Sequence, residues 1–292
     1  MAAGMGSRYG GLKQIDGLGP HGETLMEYAI FDALKAGFGK VVFIIRKNME
    51  TVFQEVFNER LLKYIPYELV FQVLDDLPGN FSAPENRAKP WGTAHAVWVC
   101  RNTVDTPFAV INADDFYGRE AYQNLADYFN HNSNPFAYAM NAYQLDKTLS
   151  EFGGVTRGIC QLDTNNQLTK VDEHLRLSRN TEGIVESILA DKTIEIDPKS
   201  PVSMNIWAFY PTVFDLLEQY LSEFLDKNLH EPKAEAYTPA FIDTIILQQK
   251  ASVKVLTSSA KWFGVTYSED KSRVEAILQK LVAQGIYPSP LF

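Results

Sequence analysis

This chain predicts an α/β fold, doubly wound around a mixed, mainly parallel sheet, on three observations. Val41-Val42-Phe43-Ile44-Ile45 is a continuous apolar run rich in β-branched residues, and uniform rather than alternating hydrophobicity marks a strand covered on both faces. Strand and helix signals then alternate as far as about residue 130, the order that crossover connections produce. The chain also opens on a glycine-rich segment, MAAGMGSRYGGLKQ, whose backbone can approach a ligand closely.

The elements follow in order. Thr24 to Ala36 reads as a helix with Leu25, Tyr28 and Ala29 on one face, ended by Gly37 and Gly39. The apolar run over 41–45 comes next, then a longer helical pattern from Asn48 to Tyr64, closed by Pro66. Leu69 to Leu74 and Phe108 to Ile111 read as strands, separated by a Pro/Gly-rich loop and a short helix from Thr93 to Arg101. Glu120 to Phe129 carries Tyr122, Leu125, Ala126 and Phe129 at helical spacing. Beyond it the strands become denser: Ala137 to Tyr143, Gly154 to Leu162, Leu168 to Val171 and Met204 to Tyr210. Asp163-Thr164-Asn165-Asn166 reads as a hairpin tip. Thr212 to Leu225 is a strong amphipathic helix, and Thr238-Pro239 supplies an N-cap and a first-turn proline for another. Val253 to Leu256 is a late strand, and Val274, Ile277, Leu278, Leu281 and Val282 define a last helix.

Composition narrows the class. The 292 residues are 46% hydrophobic and 22% charged, ordinary for a globular protein with a substantial core. A net charge of −9 with no Lys/Arg block argues against a nucleic-acid partner. No apolar run approaches the roughly 20 residues of a membrane helix, and no secretory signal is visible. The expectation is therefore a cytoplasmic protein with no membrane partner. Cys100 and Cys160 lack metal spacing and read as buried thiols, and the five histidines are scattered. Any metal chemistry must rest on carboxylates, which favours Mg²⁺.

Three segments carry candidate chemistry. In the first, Arg8 and Lys13 stand among glycines, an arrangement suited to a triphosphate gripped by both cations with backbone N–H groups from Gly4 to Arg8 around it. The second is Asp114-Asp115, at the end of the strand over 108–111, where ligands bind in open α/β sheets. Asp114 is the expected Mg²⁺ ligand, and Asp115 reads as a turn or capping residue. The third is Lys89-Pro90-Trp91-Gly92-Thr93-Ala94-His95-Ala96, a tight turn whose Thr93 can cap the following helix and whose backbone could read a base edge. His95 reads as a packed helix residue.

In this order the three segments resemble the sugar nucleotidyltransferase family, the nucleotide-diphospho-sugar pyrophosphorylases. Ala2 to Arg8 with Lys13 is similar to that family's A-A-G-x-G-x-R signature and its lysine, Gly92 to Ala96 to its base-binding turn, and Ala113-Asp114 to its metal-binding step. Weaker likenesses cover most of the chain: Glu151 to Val155, Lys170 to Glu173, and Ser203 to Trp207. The resemblance implies a nucleotide-diphospho-sugar transferase fold, a three-layer sandwich formed by a single domain over 1–292. Residues 1–130 would be its nucleotide-binding half and 131–292 its acceptor-binding half. It implies nucleotide binding by Ala3, Gly4, Gly6, Ser7, Gly92 and Thr93, acceptor binding by Gly154, Glu173 and Asn205, and catalysis by Arg8 and Lys13. The implied partners are an NTP and a phosphorylated small-molecule acceptor. Two positions depart from the pattern. His174 stands where many members carry a phosphate-gripping lysine, and Gly264 where many carry a second metal-binding aspartate, for which Asp270 could substitute.

The expected reaction joins an NTP to a sugar 1-phosphate and releases pyrophosphate. The alternatives are another phosphorylated acceptor such as phosphocholine, or a catalytically silent nucleotide-binding regulator. One more expectation concerns the approach to the glycine loop. Only Met1 to Ala3 precede Gly4, so the strand that would deliver the loop must be encoded upstream or have been trimmed, and a sheet without it should be poorly stable.

Overall fold

The structure, a computed structural model, describes residues 1–3, 16–150, 153–189, 192–265 and 270–292. Helix α1 (Leu25–Lys35) begins at a full capping box. Thr24 Oγ1 accepts from the Glu27 N–H at 3.3 Å, and the Glu27 carboxylate accepts from the Thr24 N–H at 2.7 Å. Strand β1 (Val41–Ile45) follows and pairs in parallel with β2 (Tyr67–Phe71). Between them the long helix expected over 48–64 is shorter. α2 covers Glu50–Phe57, flanked by 3₁₀ turns at Lys47–Met49 and Leu62–Tyr64. Phe53 and Phe57 are buried there against Phe43.

Helix α3 (Thr93–Trp98), β3 (Phe108–Val110), the short β4 (Asp115–Phe116) and α4 (Arg119–His131) complete the first part. The second part contains β5 (Ala137–Gln144), β6 (Val155–Leu162), β7 (Leu168–Arg179), β8 (Val185–Leu189), β9 (Lys192–Glu195) and β10 (Pro201–Phe209). Then come α5 (Val213–Asn228), α6 (Thr238–Leu247), β11 (Ser252–Thr257), β12 (Phe263–Gly264) and α7 (Asp270–Ala283). The β6–β7 tip is the expected turn, with Asp163 Oδ1 accepting from the N–H groups of Asn165 and Gln167 at 2.8 Å. β7 runs eight residues beyond Val171, to Arg179, and β8 and β9 extend it as a meander.

The expected mixed sheet with helices on both faces is present, and it sorts by direction. β1 with β2 and β5 with β11 are parallel, while β10 pairs antiparallel with β3, β5 and β6. Antiparallel pairs outnumber parallel ones among these strands, so "mainly parallel" describes only the first part. The reason is connectivity: β6 to β9 are joined by turns, and a short turn can only reverse a strand. One apolar cluster joins α3, α5 and α6 to one face of the sheet, including Val110, Met140, Trp207 and Phe209. A second places α1 and α4 on the opposite face, with Ala139, Val202 and Ile206.

Strand β10 changes partner along one edge. Val202 and Ser203 pair with Ile159 and Gly158 of β6, whereas Trp207 to Phe209 pair with Val110 to Phe108 of β3. Between these stretches Asn205 has φ +61°, and the register with β5 shifts. Asparagine tolerates this left-handed conformation better than a β-branched residue. β3 and β6 therefore part company at Asn205, and a cleft opens between their ends.

Candidate active site

That cleft has a volume of about 430 Å³. Asn112 reaches it from the end of β3, Asp115 from β4, Arg157 from β6, Glu173 from β7 and Asn205 from β10. Crevices at the carboxyl ends of strands, where neighbouring connections diverge, are the usual ligand sites of open sheets.

Its polar groups form a chain. The Asn205 side-chain N–H donates to Asn112 Oδ1 at 2.8 Å, and its Oδ1 accepts from Trp207 Nε1 at 2.8 Å. Asn112 Nδ2 in turn donates to Asp115 Oδ2 at 2.9 Å, and the Tyr117 hydroxyl approaches the same oxygen at 3.2 Å. Asp115 is buried. Burial and the Asp115 charge push the Tyr117 hydroxyl well above its ordinary pKa, so it stays protonated and serves as a donor.

Arg157 supplies the opposing charge. It donates to the carbonyls of Thr148 and Thr156, and its guanidinium lies over the Trp262 ring at 4.9 Å. Burial lowers its pKa to about 10, against the pull of Asp115 and Asp270, which leaves it cationic at neutral pH. In the β6–β7 ladder Arg157 stands directly opposite His174, the position where the resemblance calls for a lysine.

The sequence-derived residues fare differently. Glu173 and Asn205 line the cleft, as does Thr93. Thr93, however, caps a different helix from the one expected. Its Oγ1 accepts from the N–H of Thr238 at 2.9 Å and so starts α6, while α3 receives no side-chain cap. Thr238, expected as the N-cap of α6, is its first helical residue, and the cap position belongs to Tyr237. Gly92 has φ +100°, and a Cβ there would meet the Ala236 carbonyl oxygen at 2.4 Å. Its carbonyl accepts from Gln72 Nε2, and the Ala94 N–H is spent on Ala236. These groups stitch the turn to the chain ahead of α6, which limits what they can offer a base. Gly154 is not part of the cleft lining and packs against Arg176. His95 is buried, contacting Gln72 and the Asp76 carbonyl, and burial lowers its pKa.

Asp114 is half-buried beside the Met1 amino group, whose charge it supports. Of the two aspartates, Asp115, read from sequence as a turn or capping residue, is the one that lines the cleft. A cue was available in the spacing of Asp115 and Tyr117, neighbours on one face of an extended segment. Arg157 gave no such cue, because an arginine within an alternating strand reads as solvent-facing. Gly4, Gly6, Ser7, Arg8 and Lys13 lie outside the described residues, while Ala3 is buried.

Among the described residues no three acidic, histidine or cysteine side chains converge on one point. Gly264 pairs with Asp115 across β12 and β4, and a Cβ there would stand 2.7 Å from Asp115 Oδ1. Asp270 is buried beside Arg273 at 3.5 Å. Asp114 and Asp115 remain as adjacent hard-oxygen donors. This fits an ion such as Mg²⁺ that takes one or two carboxylates and completes its shell with substrate phosphates and water. No helix among the described residues is long and apolar enough to cross a membrane.

The fold is similar to a Bacillus anthracis protein assigned as a glucose-1-phosphate thymidylyltransferase and crystallised with a sucrose. The TM-score is 0.59 at 14% identity, over 95% of this chain and 93% of that one. No curated protein matches in sequence. The nucleotidyl transferase family matches residues 12–265, nearly the full length, and the chain belongs to that family.

Proposed function

We propose that this nucleotidyltransferase joins a nucleoside triphosphate to a sugar 1-phosphate and releases pyrophosphate. The observation that carries the reading is the cleft at Asn205, where amides, carboxylates and one guanidinium converge at the end of β3. Amide and carboxylate groups suit sugar hydroxyls, and a guanidinium suits a phosphate.

An acceptor phosphate oxygen attacks the α-phosphorus; the new O–P bond forms as the bond to the bridging oxygen of pyrophosphate breaks. The acceptor is already anionic at neutral pH, so no general base is required, and catalysis reduces to alignment and charge neutralisation. Arg157 holds the acceptor phosphate from the position opposite His174 in the β6–β7 ladder. Glu173 and Asn205 accept and donate to the sugar hydroxyls, and Asn112 fixes the Asn205 amide. Gly92 and Thr93 lie toward the nucleotide, and Arg8 and Lys13 grip its β- and γ-phosphates with the loop from Ala3 to Ser7 around them. Asp114 and Asp115 would hold Mg²⁺, which when bound would neutralise phosphate charge.

A pyrophosphate-release assay crossing the common NTPs with a panel of sugar 1-phosphates and phosphocholine tests this. Release that requires both an NTP and a sugar 1-phosphate is expected. Release driven by phosphocholine alone, or by no acceptor in the panel, overturns it.

A further inference from the structure

The wall of the cleft that carries Trp262 is fastened from outside the cleft. Strand β11 ends at Thr257, and the loop over 258–261 leads from it to Trp262 and β12. β12 itself offers two paired residues, Phe263 opposite Phe116 and Gly264 opposite Asp115, with the two phenylalanine rings stacked at 4.3 Å. Trp262 adds no polar anchor of its own. Its buried Nε1 has no hydrogen-bond partner among the described residues.

Helix α4 holds the loop instead. Glu120, in the first turn of α4, gathers its donors on one carboxylate oxygen. Oε2 accepts from the Ser258 hydroxyl at 2.8 Å, the Ser259 N–H at 2.8 Å, the Ser259 hydroxyl at 2.7 Å and the Ala260 N–H at 3.1 Å. One turn along the same face, Asn124 Nδ2 donates to the Thr257 carbonyl at 3.0 Å. Gly118 lets the loop come this close. Its φ is +77°, and a Cβ there would stand 2.7 Å from Ala260 Cβ. Hydrogen bonds to a charged acceptor are stronger than neutral ones, and these, led by the Ser259 hydroxyl, hold the Glu120 carboxyl below its ordinary pKa. Glu120 is exposed and does not line the cleft, so its effect there passes through the loop.

The far end of the loop reaches the chemistry. The Arg157 guanidinium lies over the Trp262 ring at 4.9 Å, and Trp262 Cζ2 and Asp115 Oδ1 both border Gly264. A displaced Trp262 would leave that guanidinium held on one side only, by Thr148 and Thr156. We propose, on the acceptor role given to Arg157 above, that Glu120 is a positioning residue for the acceptor: by fixing the loop over 258–260 it seats Trp262, and through Trp262 the Arg157 guanidinium. The effect is confined to one substrate. Gly92 and Thr93, on the nucleotide side, are tied to the chain ahead of α6 and not to this loop.

Glu120→Gln keeps the length of the side chain and removes its charge. It should raise the sugar 1-phosphate KM about tenfold, with kcat and the NTP KM changed by less than about twofold. Gly118→Ala presses on Ala260 from the other side and should give the same split. Equal rises in the two KM values overturn the proposal, as does a lowered Tm with both KM values unchanged. A second readout needs no reaction. Trp262, at 9% exposure, is the most accessible of the four tryptophans. Acrylamide quenching of tryptophan emission should therefore increase in Glu120→Gln, and the increase should vanish in a Trp262→Phe background. Quenching that stays the same, or rises equally without Trp262, overturns the seating of Trp262 by Glu120. Should the unaltered protein release pyrophosphate with no sugar 1-phosphate, the function proposed above falls, and the quenching pair alone decides the role of Glu120.

Discussion

An apolar groove of about 240 Å³ runs between β1 and β3, so it shares β3 as a common wall with the polar cleft, and the two cavities differ in almost everything else. Along its length β3 faces the apolar groove, while the residues just past its end, Asn112 and Asp115, face the polar cleft. Around the groove the inner edges of β1 and β3 have no strand partner among the described residues, and most of the lining side chains are apolar. Around the cleft the side chains carry the interest: carboxylates, an opposed guanidinium and an asparagine with positive φ. The difference teaches how one strand can separate stability from chemistry, with the packing read from its middle and the site from its end.

Substitutions should respect that division. The largest effect is expected on the groove side. Phe43, buried and 5.0 Å from Phe53 between ring centroids, should cost about 3–5 kcal/mol as Phe43→Ala, seen as a large fall in Tm with loss of activity in proportion to the unfolded fraction. Next comes the cleft. Asp115→Asn should reduce kcat for pyrophosphate release about a hundredfold while moving Tm by only a few degrees. A comparable loss of stability would merge the two regions and undo the distinction.

A pH series probes the groove without mutation. The Met1 amino group titrates near 8 when unfolded and at about 6 when folded, burial outweighing the support of Asp114 and Cys100. Between those values the unfolded chain binds more protons, so stability rises with pH from 6 to 8, by about 2–3 kcal/mol at most. Denaturant titrations at both pH values should show this gain, and acetylation of the amino group should remove it. The smallest effect belongs to Arg157→Lys. It keeps the charge but loses the planar fork over Trp262, and should raise the acceptor KM about tenfold with kcat little changed.

Much of the scaffold was legible because its signals are local. The Thr24–Glu27 capping box, the uniform apolar run of β1 and the Asp163 turn each declare themselves within a few residues. β8 and β9 are hidden for different reasons: Lys192, Thr193 and Glu195 of β9 are exposed, and one of the two buried positions among the described residues of β8, beside Val185, is the polar Ser187. The length of the helix near residue 57 was missed because its apolar pattern continues into a 3₁₀ turn. Glu173 and Asn205, which line the cleft, are marked in the sequence by their motifs. Thr93 was assigned to the wrong helix, since its partner Thr238 lies 145 residues away. The choice between Asp114 and Asp115 depends on long-range contacts, such as that of the Tyr117 hydroxyl with the Met204 carbonyl, and no local pattern encodes those.

The contact between Gly264 and Asp115 constrains how this site can change. A single added methyl at 264 would stand 2.7 Å from Asp115 Oδ1 and 3.3 Å from the Asp114 carbonyl, so any side chain there must displace the carboxylate or bend β12. Positions 115 and 264 form an epistatic pair: a variant library should retain Gly264 wherever Asp115 is kept, and admit a larger residue only alongside a smaller one at 115. An acid introduced at 264 alone would meet a like charge as well as a clash, which closes the one-step route to a second carboxylate.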